Sequence, residues 1–376
     1  MAGRVFIHVG SPKTGTTYLQ GILWRHRATL RRRGLLLPLR EPDHYAGTFQ
    51  VSGWRQRNGP MPAWADGAWD RLVEATLRSR QDVLISHEMY CRATAEQAEK
   101  ALAPLLDAGR EVHVVITARD LARQIPAAWQ EGVKTGRQIH FDTFVEQIQQ
   151  SGHHDARGFR RAHDTAFLAE RWGSGLPPEH VHVVTVPQRG APRDLLWTRF
   201  ATALGIDPDG YDDSVYANES LRVEQTELAR RLNALIDGSI AWPRPWSTVV
   251  KIGFFESVLG GREGTPVTLG GADLEFARKR SARIVASLEK MGVDVVGSLD
   301  ELLVTAEPVA EPSSARVEVG EDVLLQEALE AIASILTERA EQRVARDEHA
   351  AGLGVVRRTA LQSRRALAKA LARLGR

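Results

Sequence analysis

Residues 5–21 read VFIHVGSPKTGTTYLQG and decide the predicted fold. An apolar, strand-like run ends at Gly10, and a helix-like pattern resumes after a short polar loop. Phosphate-binding loops commonly have the spacing G-x-x-x-x-G-K-[ST], in which backbone amides and a helix N-terminus surround the anion. Gly10 and Gly15 keep that spacing, but Thr16 occupies the lysine position and Lys13 lies within the loop. The stretch predicts an anion-binding strand–loop–helix unit with a displaced lysine.

Three further apolar runs are typical of buried parallel strands, and helical patterns separate them. The runs lie near residues 82–88, 111–120 and 180–188, with helical patterns at 68–80 and 95–109. This alternation predicts an α/β fold with a P-loop-type, doubly wound parallel sheet flanked by helices. Ligands in such sheets bind beyond the carboxyl ends of the strands. Residues 10–17, 86–88 and 119–120 follow strands directly and are therefore the candidate site.

Composition excludes several classes of protein. The 376 residues are 43% hydrophobic and 26% charged, as in globular proteins, and no run approaches the ~20 apolar residues of a membrane span. No export signal precedes the first strand, so we expect a cytoplasmic protein. The single cysteine, Cys91, excludes an internal disulfide and a cysteine-based zinc cluster. The net charge of +2 argues against nucleic-acid binding.

The string IHVGSPKTGTTYLQ resembles the signature of the sulfotransferases that use 3′-phosphoadenosine 5′-phosphosulfate (PAPS), and most of all their bacterial branch. The resemblance implies that the loop holds the 5′-phosphosulfate end of this co-substrate and that Lys13 serves the bridging oxygen. We expect no metal, because sulfuryl transfer carries less anionic charge than phosphoryl transfer from a triphosphate. The donor-binding residues implied here are Ser11, Pro12, Lys13, Thr14, Gly15, Thr16 and Thr17.

The resemblance continues in VVITARDLARQIPAAWQE, residues 114–131. Family members hold the donor's 3′-phosphate with an arginine after this strand and a serine eight residues later. Arg119 fills the first position, whereas Ala127 replaces the serine, and either Arg123 or Gln124 is a candidate substitute. A structural ion pair is the alternative role for Arg119, since guanidinium groups bind carboxylates as well as phosphates.

A second arginine, Arg262, lies in the glycine-rich stretch GGREG, residues 260–264. This stretch resembles the late loop that closes over the nucleotide in the same family. The alternative is an ordinary solvated loop arginine. Arg262 is therefore a further donor-binding candidate.

The stretch LISHEMY, residues 84–90, supplies the candidate general base. An acceptor hydroxyl must lose its proton as it attacks sulfur, and geometry decides which group accepts it. Family members that act on small phenols and alcohols have a histidine at this position, as His87 is here. Those that act on carbohydrates have a glutamate, often with a tyrosine shortly after. Glu88 and Tyr90 are closer to the second group, so we predict Glu88 as the base and His87 as its neighbour. The alternative is that Glu88 only begins the next helix, where amide dipoles favour a carboxylate.

Two regions suggest partners. Aromatic side chains in 44–69 and 242–246 fit either a sugar-binding or lipid-binding surface or ordinary core packing; they are His44, Tyr45, Trp54, Trp64, Trp69, Trp242 and Trp246. Residues 351–376 carry seven basic residues and no acidic one, with Leu367, Leu371 and Leu374 on one helical face. Such a helix fits peripheral contact with the inner membrane surface or a solvated, partner-packing role.

These observations predict three segments and one activity. The segments are a sulfotransferase-like domain over 1–304, a linker over 305–322 and a helical extension over 323–376. The activity is transfer of a sulfuryl group from PAPS to a hydroxyl of a small-molecule or glycan acceptor. The acceptor we expect is a carbohydrate or a glycolipid. A P-loop nucleotide kinase or triphosphatase, and a non-catalytic nucleotide-binding relative, are the alternatives.

Overall fold

The structure is a computed structural model that describes residues 3–53, 61–214, 220–241, 245–305 and 311–351, with side chains as far as 346. Its contacts divide the chain into one compact unit over residues 1–319 and a second over 320–376. The second unit is described through one long helix, Glu321–Ala351. The predicted helix over 357–376 lies outside the described residues. No helix in the described part of the chain is both long and apolar enough to cross a bilayer.

The first unit is built on a parallel sheet that has six strands within the described residues. The strands are β1 Val5–Gly10, β2 Leu35–Leu36, β3 Asp82–Ser86, β4 Val112–Ala118, β5 Val181–Thr185 and β6 Asp294–Val296. Their order is β2-β3-β1-β4-β5-β6, and every neighbouring pair is parallel. Strands β3 and β4 follow one another in sequence but lie on opposite sides of β1. This reversal opens a crevice at the carboxyl end of β1.

Helices connect and flank the strands. In chain order they are α1 Thr16–Arg25, α2 Arg27–Arg32, α3 Glu41–Ser52, α4 Ala68–Leu77, α5 Ala95–Asp107, α6 Leu121–Lys134, α7 Phe141–Gln149, α8 His154–His163, α9 Thr165–Trp172, α10 Leu195–Leu204, α11 Val223–Ile236 and α12 Gly271–Met291. A π-helix, Trp246–Glu256, lies between α11 and α12. The long helix of the second unit, Glu321–Ala351, is α13.

The main core lies between the sheet and helices α1 and α10. Phe6, Val115 and Val184 project from adjacent strands and pack against Leu19 and Phe200 of those helices. Each such large side chain, buried completely, contributes about 1.5–3 kcal/mol of hydrophobic free energy. Strands β1, β3, β4 and β5 are buried along almost their whole length because helices flank the sheet, which is typical of parallel sheets. This rigid layer fixes the loop that follows β1.

The predicted fold class is confirmed, and all four predicted strands are present as β1, β3, β4 and β5. The two outer strands, β2 and β6, were not predicted, because runs of two and three residues are too short to show alternation. The predicted helices at 68–80 and 95–109 are α4 and α5.

Candidate active site

The loop after β1 has a backbone that few side chains tolerate. Gly10, Lys13 and Gly15 all have positive φ, at 110°, 66° and 83°. A Cβ at Gly10 would lie 2.9 Å from the carbonyl oxygen of Glu88, so the close approach of these two segments requires glycine. Gly15 is the N-cap of α1 and supplies no side-chain cap for its amides. The first amides of α1 are therefore left for an anion.

A polar network under the loop holds it on the sheet. The Thr14 hydroxyl lies 2.5 Å from the Thr117 hydroxyl, and it donates to the Ser11 carbonyl. The His8 ring lies 2.8 Å from the Ser86 hydroxyl through Nδ1 and 3.4 Å from Thr117 through Nε2. Burial lowers the pKa of His8 to about 4, so this imidazole is neutral at physiological pH. The side chain of Thr14 therefore supports the loop from below.

The other donor-binding residues predicted from sequence differ in what they present. The Ser11 hydroxyl is buried and has no hydrogen-bond partner, which is uncommon and identifies an unmet donor in the loop. The Pro12 carbonyl accepts a 2.7 Å bond from Gln124. Thr16 is buried at the start of α1, whereas Thr17 is exposed. Ser11 is thus the loop side chain that most plainly requires a ligand.

Lys13 lies in a cluster of charges that sequence did not predict. Glu131 of α6 accepts from Lys13 at 2.9 Å and from Lys251 of the π-helix at 2.6 Å. Burial acts to raise the pKa of Glu131, but the two lysines outweigh it and lower the pKa to about 2. Lys134, one turn further along α6, is buried and lies 3.5 Å from Glu256. Three lysines therefore converge beside the loop.

Arg119 is half-buried at the start of the next crossover and donates to neutral groups. It donates to the amide oxygen of Gln124 at 3.2 Å and to the carbonyl of Arg123 at 2.9 Å. Burial, followed by repulsion from Arg123, lowers the pKa of Arg119 to about 10. Gln124 also lies 2.6 Å from Nδ1 of His163, whose pKa burial and Arg119 lower to about 3. Gln124 thus links Arg119 to the loop.

The two candidate substitutes for the missing serine have different surroundings. Arg123 forms an ion pair with Asp120 and donates to the Pro187 carbonyl at 3.0 Å. Gln124 contacts both Arg119 and the loop at Pro12. Ala127 is half-buried within α6. Gln124 is therefore better placed than Arg123 to stand in for the serine.

The candidate base, Glu88, follows β3, which lies on the side of β1 opposite β4. Glu88 begins a short 3-10 helix, Glu88–Arg92, and accepts from Gln20 of α1 at 3.1 Å. Burial acts to raise the pKa of Glu88, but His87, the local backbone and Gln20 outweigh it and hold the pKa below its usual range. The carboxylate is ionised at neutral pH, and Lys251 lies close enough for its pKa to be raised by Glu88 as well as by Glu131.

His87 is neutral and turned away from a direct bond with Glu88. Its Nδ1 accepts from the Met89 amide at 3.1 Å and lies 3.8 Å from the Glu88 carboxylate, beyond hydrogen-bond distance. Burial lowers the pKa of His87 despite the attraction of Glu88. The neutral ring therefore carries its proton on Nε2. Tyr90 is buried and donates to the His44 carbonyl, which makes it a structural neighbour of Glu88.

Aromatic side chains extend outward from His87. The Tyr45 ring lies 4.9 Å from the His87 ring and stacks on Trp64 at 5.9 Å. Trp64 is 51% exposed, which leaves a flat ring at the surface. Trp69 and Trp246 are instead buried and donate to backbone carbonyls. The predicted aromatic set thus divides into a surface pair near His87 and core residues.

Three predicted residues remain. Arg262 donates to the Val258 carbonyl four residues before it, which fixes its guanidinium on its own loop. Trp54 and Trp242 lie outside the described residues. Sequence reasoning missed Lys251, Lys134 and Glu131. Lys251 lies within the apolar run of the π-helix, and Glu131 is 118 positions away from its partner Lys13, so neither leaves a local sequence pattern.

No protein-family model matches the chain, and no curated protein matches it. The chain is similar to the crystal structure of a sulfotransferase from Alicyclobacillus acidocaldarius, with 20% identity and a TM-score of 0.39 over 63% of this chain and 96% of the other. It is also similar to the sulfotransferase domain from the curacin biosynthetic pathway, with 12% identity and a TM-score of 0.29 over 58% of this chain and 81% of the other. Similarity this low does not assign a family.

Proposed function

We propose that the protein is a PAPS-dependent sulfotransferase acting on a hydroxyl acceptor. The observation that carries this proposal is the set of partly buried cations around the loop. Lys13 and Lys251 share one carboxylate, Glu131, and Arg119 donates to neutral groups, beside a Ser11 hydroxyl that has no partner. Partly buried cations that share one acidic partner, or that have only neutral hydrogen-bond partners, favour an anionic ligand.

The residues of the loop fit the phosphosulfate end of such a donor. The uncapped amides of α1 and the free Ser11 hydroxyl supply hydrogen-bond donors, and Lys13 supplies a cation. Arg119, supported by Gln124, supplies the charge for the 3′-phosphate. When the donor binds, the Lys13 ammonium leaves Glu131 and contacts the bridging oxygen of the donor. Lys251 stays bound to Glu131 and balances its negative charge.

Glu88 is the general base of the proposed reaction. The acceptor oxygen forms a bond to sulfur, the bond from sulfur to the bridging oxygen breaks, and the acceptor's proton passes to the Glu88 carboxylate. Lys13 neutralises the phosphate that leaves with adenosine 3′,5′-bisphosphate. His87, neutral and with Nε2–H available, orients the acceptor.

The acceptor we propose is a carbohydrate or glycolipid. Tyr45 and Trp64 offer stacked, partly exposed rings next to His87. Flat aromatic faces with one wet side suit the apolar faces of sugar rings.

A nucleotide kinase or triphosphatase is the second candidate and has less support. Such enzymes need an acidic magnesium ligand at a neighbouring strand end. Asp120 follows β4, but it caps α6 and forms an ion pair with Arg123. Sulfuryl transfer needs the cations of the site but does not need a carboxylate that binds magnesium.

Transfer of radiolabelled sulfate from PAPS to a panel of glycans and glycolipids tests the proposal. We expect labelled product with the parent protein and at least about a hundredfold less with Glu88→Gln, which keeps the size of the side chain. Glu99→Gln is the matched control, because it makes the same change at an exposed glutamate of α5 that is not part of the site. Label transfer that is equal in the parent and in Glu88→Gln would contradict the assigned base.

A further inference from the structure

A second polar cluster lies at the opposite, amino-terminal edge of the sheet. Glu111 and His113 lie at the start of β4, His180 ends the short helix Pro178–His180, His182 lies in β5, and Asp294 begins β6. The parallel register pairs His182 with Asp294 directly, and it pairs Val115, two residues beyond His113, with His182. His113, His182 and Asp294 therefore share one face of the sheet.

Three of these side chains converge on one point. Oε1 of Glu111 lies 2.8 Å from Nε2 of His113 and 4.0 Å from Nε2 of His180. All three ligand atoms lie within 4.8 Å of one another. A tetrahedral zinc ion with bonds of about 2.0–2.1 Å has ligand atoms about 3.3 Å apart, so small side-chain movements close this site around an ion.

The other two side chains fix His113 from behind. Nδ1 of His113 lies 2.9 Å from Nε2 of His182, and Nδ1 of His182 lies 2.6 Å from Asp294. Metal-binding histidines almost always have such a partner on the second nitrogen, often ending in a carboxylate. The chain Asp294–His182–His113 has the order expected for a support behind a metal ligand.

The chain has a carboxylate at each end, and ionised Asp294 and Glu111 only accept hydrogen bonds. Three contacts join these two carboxylates through His182 and His113, so three protons, or two protons and a metal ion, complete it. A metal ion at the Glu111 end would also explain why Nε2 of His180 lies 4.0 Å from the same carboxylate oxygen.

We propose that Glu111, His113 and His180 bind one divalent transition-metal ion, Zn²⁺ by ligand type, and that His182 and Asp294 position His113. Imidazole and carboxylate ligands suit zinc, and a three-ligand set leaves a position for water. Glu111 is 52% exposed, so an ion reaches the site from solvent. Ala118 lies five positions after His113 in β4, roughly 17 Å along the strand. The ion thus ties β4 to the start of β5 and takes no part in sulfuryl transfer.

Zinc titration of the chelator-treated, full-length protein tests this proposal by calorimetry. The parent is expected to bind one Zn²⁺ per chain, and its melting temperature is expected to rise by roughly 3–5 °C at a zinc concentration about a hundred times Kd. The double variant Glu111→Gln, His180→Gln changes partly exposed side chains, so it should fold, and it should bind at least a hundredfold more weakly. Asp294→Asn should weaken binding about 10- to 100-fold without touching the ion.

His140→Gln is the matched control, because this histidine is exposed and lies outside the cluster, and its zinc affinity should equal the parent's. Circular dichroism confirms that each variant is folded. A parent protein that binds no zinc at about 100 µM, roughly a hundred times a micromolar Kd, would mean that a proton completes the chain, and the proposal would be wrong. Unchanged affinity in the double variant would place the zinc elsewhere and would equally overturn it.

Discussion

Strands β3 and β4 flank β1, and each is followed by an acidic residue that the fold treats differently. Asp120, after β4, caps α6 through the Arg123 amide at 3.0 Å and pairs with the Arg123 side chain. Glu88, after β3, is half-buried, accepts from an amide donor, Gln20, and lies 3.8 Å from His87. The acid after β4 is used for structure. The acid after β3 neither caps a helix through its side chain nor bonds directly to a cation in the contacts described above, which suits the base proposed above.

The ends of β3 and β4 also differ in positive charge. Arg119 precedes Asp120 in sequence but donates to Gln124 and to the Arg123 carbonyl. Because the Arg123 side chain forms the ion pair with Asp120, the Arg119 guanidinium remains available to an anion. The strand end after β4 thus supplies a cation and the strand end after β3 an anion, on opposite sides of the loop.

The largest effect is expected at Glu88. Glu88→Gln should lower turnover by a factor of about 10²–10⁴, the usual contribution of a general base, with donor affinity unchanged. His87→Ala should retain measurable activity. Steady-state transfer assays and donor titrations on both variants give the comparison. If His87→Ala is the inactive variant and Glu88→Gln the active one, the base is His87 and the acceptor is not a carbohydrate.

Asp120→Ala tests the structural role of the acid after β4, because it should lower the stability of the fold. Loss of its cap should lower the free energy of unfolding by about 1 kcal/mol, whereas Glu88→Gln, which keeps an oxygen able to accept from Gln20, should lower it by less. Urea unfolding of both variants measures this. A larger loss of stability in Glu88→Gln than in Asp120→Ala would reverse the roles assigned to the two acids.

Lys13→Ala should lower turnover by about a hundredfold or more, the scale for removing one preorganised group that stabilises transition-state charge. Donor binding should change less, because Lys251 and the loop amides remain. Single-turnover measurements at saturating donor separate the two quantities. Near-normal turnover would remove Lys13 from the chemical step.

Arg119→Ala should mainly weaken donor affinity, by about 1.5–3 kcal/mol for a lost charged hydrogen bond, or roughly 10- to 150-fold in Kd. The control ligand is a donor analogue without the 3′-phosphate, for which parent and variant should have equal affinity. If the variant still prefers the 3′-phosphorylated nucleotide as strongly as the parent does, Arg119 does not contact that phosphate.

Much of this site was predictable, and the part that was not has a physical reason. The loop after β1 and the acids after β3 and β4 are recognisable because strand, turn and polar residue are contiguous in sequence. Glu131, Lys134 and Lys251 are not, because helix α6 and the π-helix bring them to Lys13 from more than a hundred residues away. The division of labour between Glu88 and Asp120 also depends on side-chain partners, which neither spacing nor composition encodes.

The central claim is that this site binds a 3′-phosphorylated adenosine nucleotide without a metal. Calorimetry with adenosine 3′,5′-bisphosphate in the presence of a chelator tests it most directly, with magnesium and adenosine triphosphate as the parallel titration. We expect one bisphosphate per chain, bound equally with and without the chelator, and weaker binding of the triphosphate. Tight, magnesium-dependent binding of the triphosphate together with no binding of the bisphosphate would contradict the account and identify a nucleotide kinase or triphosphatase instead.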